Sequence, residues 1–290
     1  MRTRAYWRAF RNKFFSMAPR IGVYDSGIGG LTTLALLQAK LPSCTYVYLA
    51  DTARMPFGSK SRAEIYEAAE NAMKILRAGA DVIVFGCNTA SVTAEPDGAF
   101  KLRPALADCD PQKTLVLATP RTLAGLDAKA RGFMCADTPE LAVLTEIQIS
   151  LRYKSRTVLS CAPLSDYIRA KLSPFAHKAE KVLLGCSHYV YAEKEIRAVL
   201  GDADYSDGND ALTDSVRAAL QPELSASAPS DGGVPPTDFV FTGACERDKY
   251  MWILGRLHRE YVPRFVAADR LLRQRTDTSA KPPGGINTKT

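Results

Sequence analysis

Two stretches of this chain repeat one pattern. Val82-Ile83-Val84-Phe85-Gly86-Cys87-Asn88-Thr89 and Lys181-Val182-Leu183-Leu184-Gly185-Cys186-Ser187-His188 each run from an apolar strand through Gly and Cys into two polar residues. A strand with no polar alternation is buried on both faces, as in a parallel sheet covered by helices. The copies stand about one domain length apart, roughly 100 residues. Ligands of open parallel sheets bind at the carboxyl ends of the strands. Two such domains facing each other therefore bring Cys87 and Cys186 to opposite walls of one cleft.

The rest of the chain fits that frame. Short aliphatic or β-branched runs at Ile21–Tyr24, Tyr46–Leu49, Val82–Phe85, Thr114–Leu117, Thr157–Leu159, Val182–Leu184 and Phe239–Phe241 alternate with helix-patterned segments, which predicts an α/β fold with parallel sheets. Ser61 to Gly79 reads as a helix opened by a Ser61/Glu64 capping box, and Leu31–Leu41 as another closed by Pro42. We expect a basic extension over 1–20, a first α/β domain from 21–110 plus 205–268, a second from 111–204, and a disordered tail over 269–290. Ser225–Pro236, rich in Ser, Pro and Gly, reads as loop.

Composition removes several classes. No apolar run approaches the roughly 20 residues that a membrane-spanning helix needs. Seven cysteines without a Cys-x-x-Cys spacing suit neither a disulfide framework nor a zinc ribbon, so the expected setting is reducing and cytoplasmic. Of the net charge of +7, almost all lies in the head, where Arg2, Arg4, Arg8, Arg11, Lys13 and Arg20 meet no acid. That head reads as an arm for nucleic acid or membrane, as a transit-like segment, or as an upstream extension of a chain starting at Met17. The nearly neutral body argues against nucleic acid as a partner.

A cysteine after an apolar strand is ordinarily a small inert hydrophobe. Here Gly on one side, polar residues on the other and a following helix N-terminus predict a lowered thiol pKa. His188, two residues past Cys186, is placed to exchange protons with it; with no second Cys/His cluster at ligand spacing, a metal is not expected. Tyr24-Asp25-Ser26-Gly27-Ile28-Gly29-Gly30 joins strand to helix but lacks the third glycine of a dinucleotide fingerprint. Its glycines let backbone N–H groups approach a substrate carboxylate, with Asp25 contacting an ammonium or a thiol, or merely capping the helix. The loop Asp51–Ser61 rims the same cleft.

Taken together, Asp25-Ser26-Gly27-Ile28-Gly29-Gly30, Asp51-Thr52-Ala53-Arg54-Met55-Pro56-Phe57-Gly58, Gly86-Cys87-Asn88-Thr89-Ala90-Ser91, Gly185-Cys186-Ser187-His188-Tyr189 and Phe241-Thr242-Gly243 resemble, in this order, the glutamate racemases of the aspartate/glutamate racemase family. The resemblance implies two pseudo-symmetric α/β domains with substrate between them. It implies exchange of the Cα proton without pyridoxal phosphate, metal or other cofactor, supplying D-glutamate for peptidoglycan. Carried over residue by residue, Cys87 and Cys186 are the two bases, with Asp25 supporting Cys87 and His188 supporting Cys186. Asn88, Thr89, Ser187 and the backbone of Pro56, Phe57 and Gly58 hold the substrate, with Ser26 nearby and Thr119 and Thr122 at a further substrate position. A homo-oligomer, a dimer first, is expected.

The chain also departs from the family. Arg169 or Ala170 falls where an acid is expected after Cys161, with Asp166 a candidate substitute one turn away; Val190 replaces proline and Phe57 replaces tyrosine. These departures keep two other readings open. One is a racemase of aspartate or another amino acid; the other is a non-catalytic binding protein on the same scaffold, for example one that interacts with gyrase.

Overall fold

The computed structural model describes residues 18–155, 162–224 and 234–262. The readings of the head before residue 18, of a strand at Thr157–Leu159, of most of the 225–236 loop and of the 269–290 tail lie outside the described residues.

Among the described residues nine strands form two sheets, and every pairing is parallel. The first sheet has the order β4-β3-β1-β2-β9, from β1 (Arg20–Asp25), β2 (Thr45–Ala50), β3 (Val82–Phe85), β4 (Phe100–Lys101) and β9 (Thr237–Phe241). The second has the order β6-β5-β7-β8, from β5 (Thr114–Ala118), β6 (Met134–Asp137), β7 (Lys181–Gly185) and β8 (Asp204–Ser206). The two repeated motifs are thus equivalent strands, β3 and β7, each next to the strand that opens its sheet. Strands β4, β6 and β8 carry too few β-branched or aliphatic residues to stand out in the sequence.

Helices cover both sheets. In chain order they are α1 (Leu31–Lys40), α2 (Arg62–Arg77), α3 (Asn88–Thr93), α4 (Pro120–Leu126), α5 (Leu141–Ser155), α6 (Ala162–Leu172), α7 (Glu193–Leu200), α8 (Asn209–Leu224) and α9 (Arg247–Glu260). Helix α1 is buried from Leu31 to Gln38 because α8 and α9 pack over the side that faces away from the sheet. Leu34, Leu37, Val216, Leu220, Ile253 and Leu254 share that core, each such side chain contributing about 1.5–3 kcal/mol. The α2 capping box forms as its sequence predicts: Ser61 Oγ accepts from Glu64 N at 3.2 Å and Glu64 Oε2 accepts from Ser61 N at 2.8 Å. Such a cap is worth about 1 kcal/mol.

The chain crosses between the sheets after β4 and returns after β8, and the crossings touch. Gly208, at φ +80°, lies where a Cβ would sit 2.6 Å from the carbonyl oxygen of Arg103, so only glycine suits the position. Beside it Asn209 Nδ2 donates to Asp207 Oδ2 and to Thr32 Oγ1, both at 3.1 Å, and the Tyr261 hydroxyl donates to Asp207. This buried network ties the returning segment to α1. Among the described residues no helix is long and apolar enough to cross a membrane.

Candidate active site

Each site segment leaves the carboxyl end of a strand: Asp25-Ser26 from β1, Asp51–Lys60 from β2, Cys87 from β3, Thr119 from β5, Thr138-Pro139 from β6 and Cys186-Ser187-His188 from β7. They converge on a cavity of about 140 Å³ between the sheets. Ser26, Pro56, Phe57, Gly58, Cys87, Asn88, Thr89, Thr119, Cys186, Ser187 and His188 line it, together with Met55, Pro139, Ala142, Val143, Glu146 and Ile147. Every substrate-contacting residue expected from the sequence is therefore in the wall except Asp25 and Thr122, which lie behind it and are fully buried.

Cys87 ends the extended backbone just before α3, and its Sγ lies 4.0 Å from Ser26 Oγ. Cys186 Sγ lies 4.0 Å from His188 Nδ1. The two thiols meet unlike surroundings. Burial, then the Asp25 charge, push the Cys87 thiol far up, outweighing the Ala90 N–H donor at the helix start. The lowered value expected from the helix is overturned here because desolvation of a fully enclosed thiolate exceeds what one backbone donor returns.

Asp25 meets the Gly30 backbone at the start of α1 and also reaches beyond the helix. Its Oδ1 accepts from Gly27 N at 2.7 Å and its Oδ2 accepts from Ser187 Oγ at 3.0 Å, so the carboxylate joins the β1 turn to the β7 loop. Burial raises its pKa, with His188, Gly27 and Ser187 working in the opposite direction. The glycines pack closely into that junction. A Cβ on Gly29 would collide with Ser187 Oγ and lie 2.8 Å from His188 Nδ1, and one on Gly27 would lie 2.5 Å from Met55 Sδ.

The acid beside His188 is Glu146, on α5. Its Oε2 stands 3.2 Å from His188 Nε2, and both side chains are largely buried. Burial opposes charge on the imidazole, but contacts with Cys186 and Glu146 prevail and hold its pKa well above the ordinary value. Burial likewise opposes charge on Glu146, and His188 and Lys249 prevail in holding its pKa down. Asp166 is not a substitute: it is exposed and lies 3.7 Å from Arg169 on the outer face of α6. The acid beside His188 thus stands earlier in the chain than the segment after Cys161, where the sequence reading looked for one.

Across the cavity the hydroxyls of Thr89, Thr119 and Thr122 form a closed triangle of 3.1–3.3 Å contacts, and Thr119 Oγ1 also caps α4 by accepting from Thr122 N. Asn88 is buried with neither amide atom partnered. An unmatched buried polar group costs about 1–3 kcal/mol, and both of these atoms belong to a residue of the cavity wall. Arg54 and Lys60 are engaged with Asp51 and Glu64 outside the cavity. Among the described residues no group of three or more His, Cys, Asp or Glu side chains is arranged to hold a metal ion.

Fold and cleft together define a class: a two-sheet parallel α/β protein whose site lies between the carboxyl edges of its sheets, with one thiol from each. The chain is 30% identical to a glutamate racemase of Campylobacter concisus over 262 residues, covering 83% of this chain and 97% of that one. It is 35% identical to a glutamate racemase of Deinococcus radiodurans over 212 residues, covering 64% and 70%. Among solved structures, glutamate racemase from Thermus thermophilus superposes with a TM-score of 0.65 at 30% identity, covering 83% of this chain and 93% of that one. No family profile matches the chain. The chain belongs to the glutamate racemase family.

Proposed function

We propose that this chain interconverts L- and D-glutamate by proton exchange at Cα, with Cys87 and Cys186 as opposed acid and base and no cofactor. The observation that carries the reading is that equivalent strands of two separate sheets, β3 and β7, each deliver a thiol to one small cavity. Inverting a stereocentre by proton transfer needs a base on one face and an acid on the other. One thiolate takes the Cα proton, the C–H electron pair stays on carbon, and the opposite thiol protonates the other face.

Cys186 takes the proton from L-glutamate and Cys87 from D-glutamate. The imidazole of His188 receives the proton that Cys186 must shed first, and Glu146 supports the resulting charge. Asn88, Thr89, Thr119, Ser187 and the Pro56–Gly58 backbone hold the substrate, and donors at its carboxylate stabilise the charge that grows in the transition state. The Thermus relative, solved with β-chloro-D-alanine, supports an amino acid as the occupant. Glu146 supplies an acid beside His188, which weighs against the non-catalytic reading. Working as a dimer in the cytoplasm, the enzyme supplies D-glutamate for peptidoglycan.

Deuterium incorporation at Cα in D₂O tests this with L-Glu, D-Glu, L-Asp and D-Asp on the purified protein. Exchange into both glutamate enantiomers is expected, surviving chelators and carbonyl reagents and abolished by thiol alkylation. Exchange into aspartate alone would reassign the substrate, and exchange into none of the four would overturn the reading.

A further inference from the structure

Glu146 divides its carboxylate between two basic side chains that come from different parts of the chain. Oε2 faces His188 Nε2 at 3.2 Å, on the loop after β7, while Oε1 accepts from Lys249 Nζ at 3.1 Å. Lys249 stands in the first turn of α9, which follows β9 of the other sheet. It is as buried as Glu146 and also donates to Ser150 Oγ at 3.2 Å, one turn along α5. Its ammonium thus reaches the acid that touches the site histidine.

We propose that Lys249 is a positioning residue for the Cys186 half of the reaction, fixing which nitrogen of His188 exchanges a proton with the thiol. This rests on the two-thiol reading above. A carboxylate is free to turn about its last bond and can present either oxygen, or both, to a neighbour. With Oε1 held by Lys249 and the Ser150 hydroxyl behind it, only Oε2 is presented to the imidazole. An ionised oxygen there requires a hydrogen on Nε2. Nδ1 is then the nitrogen that accepts the Cys186 proton: the S–H bond breaks, an N–H bond forms, and a thiolate–imidazolium pair is left facing substrate. After one turnover Cys186 holds the Cα proton and Cys87 is left a thiolate, so the imidazolium releases its proton to solvent as Cys87 takes one back once the product leaves. Cys87, beside Ser26 in the same cavity, shares none of these contacts.

A purely structural ion pair between α5 and α9 would affect both half-reactions alike, and this separates the two roles. Because L- and D-glutamate are equal in energy, kcat/KM for racemisation must fall equally in both directions, so the half-reactions are read by elimination. Chloride release from β-chloro-L-glutamate and β-chloro-D-glutamate requires only removal of the Cα proton and departure of chloride from Cβ. In Lys249→Met, release from the L form should fall about tenfold relative to the D form, a modest share of what a positioned acid–base group contributes. Lys249→Arg, which keeps a cation at Glu146, should restore the ratio to within about threefold. Should the methionine variant fail to fold, Lys249→Gln carries the same comparison.

Equal losses from both enantiomers, or an unchanged ratio, would overturn the role. Cys87→Ser and Cys186→Ser assayed alongside keep the two claims apart. If they fail to divide the enantiomers, the two-thiol reading falls and this inference with it. If they divide them while the Lys249→Met ratio matches wild type, only the role of Lys249 falls.

Discussion

Ser187 Oγ donates a 3.0 Å hydrogen bond to Asp25 Oδ2, joining the loop after β7 to the end of β1 and so one sheet to the other beside the cavity. Both side chains are buried, so Ser187→Ala leaves a carboxylate oxygen short of a donor. We expect a loss of about 1–3 kcal/mol in urea denaturation. The sign with pH follows from the raised Asp25 pKa. A carboxyl group that holds its proton more tightly when folded favours the fold below the ordinary value and loses that contribution as pH rises through the folded value. Since Ser187 is one of the groups holding that value down, the alanine variant should carry the decline to higher pH, read from Tm measured between pH 3 and 8.

The thiols should separate by enantiomer. Cys87→Ser and Cys186→Ser should each lose racemisation by several orders of magnitude, at least about 10³-fold. Each should still release chloride from one β-chloro enantiomer, the D form for Cys186→Ser and the L form for Cys87→Ser. Processing of the same enantiomer by both would mean that the thiols do not face opposite sides of Cα.

Glu146→Gln should lower kcat by about 10²-fold, whereas Asp166→Ala should stay within about threefold of wild type. The Glu146–His188 pair also sets a stability window. Glu146 has a lowered pKa and supports the fold above its ordinary value of 4.5, losing that support as pH falls through the folded value. His188 has a raised pKa and supports the fold fully below 6.5, losing that support as pH rises through the folded value. The Tm difference between wild type and Glu146→Gln should therefore be widest between those two ordinary values and narrow on either side. A difference that grows steadily toward alkaline pH would contradict the charged pair.

How far this could be read beforehand depended on how each element declares itself. Strands β3 and β7 are continuous apolar runs ending in Gly-Cys, and the α2 cap is a four-residue pattern, so both stood out. Glu146 did not, because β6 is Met-Cys-Ala-Asp, which has no strand-like pattern. Without β6, nothing showed that α5 begins at a strand's carboxyl end, where the other site residues lie. Helix α5 also conceals its orientation: Val143, Ile147 and Leu151 are exposed while Thr145 and Gln148 are buried, the reverse of an ordinary amphipathic stripe. Lys249 was hidden in the same way, since a lysine in a first helical turn has no local signature of a site.

Gly29 and Gly79 should respond in opposite ways to alanine. A Cβ on Gly29 would push into Ser187 and His188, while one on Gly79 meets nothing within 4 Å. Gly29→Ala should cost about 1–3 kcal/mol and, by moving the loop that carries Cys186, reduce kcat by about 10²-fold. Gly79→Ala should leave kcat unchanged and add up to about 1 kcal/mol of stability by restricting the unfolded chain. Denaturation and initial-rate measurements on the two proteins make the comparison.

Strand β9 lies at the edge of the first sheet, paired with β2 from Tyr46 to Ala50, yet it comes from residues 237–241, after the whole second sheet. On the ribosome the second sheet is complete as soon as β8 emerges, whereas β2 keeps a bare row of backbone donors and acceptors until almost the end of synthesis. At about 5–20 residues per second the wait from β4 to β9 is on the order of ten to thirty seconds. An apolar strand edge left open that long is a template for pairing with another nascent chain. The half of the protein made first is thus the half finished last, and any stop short of Phe241 releases a chain whose earliest sheet was never closed.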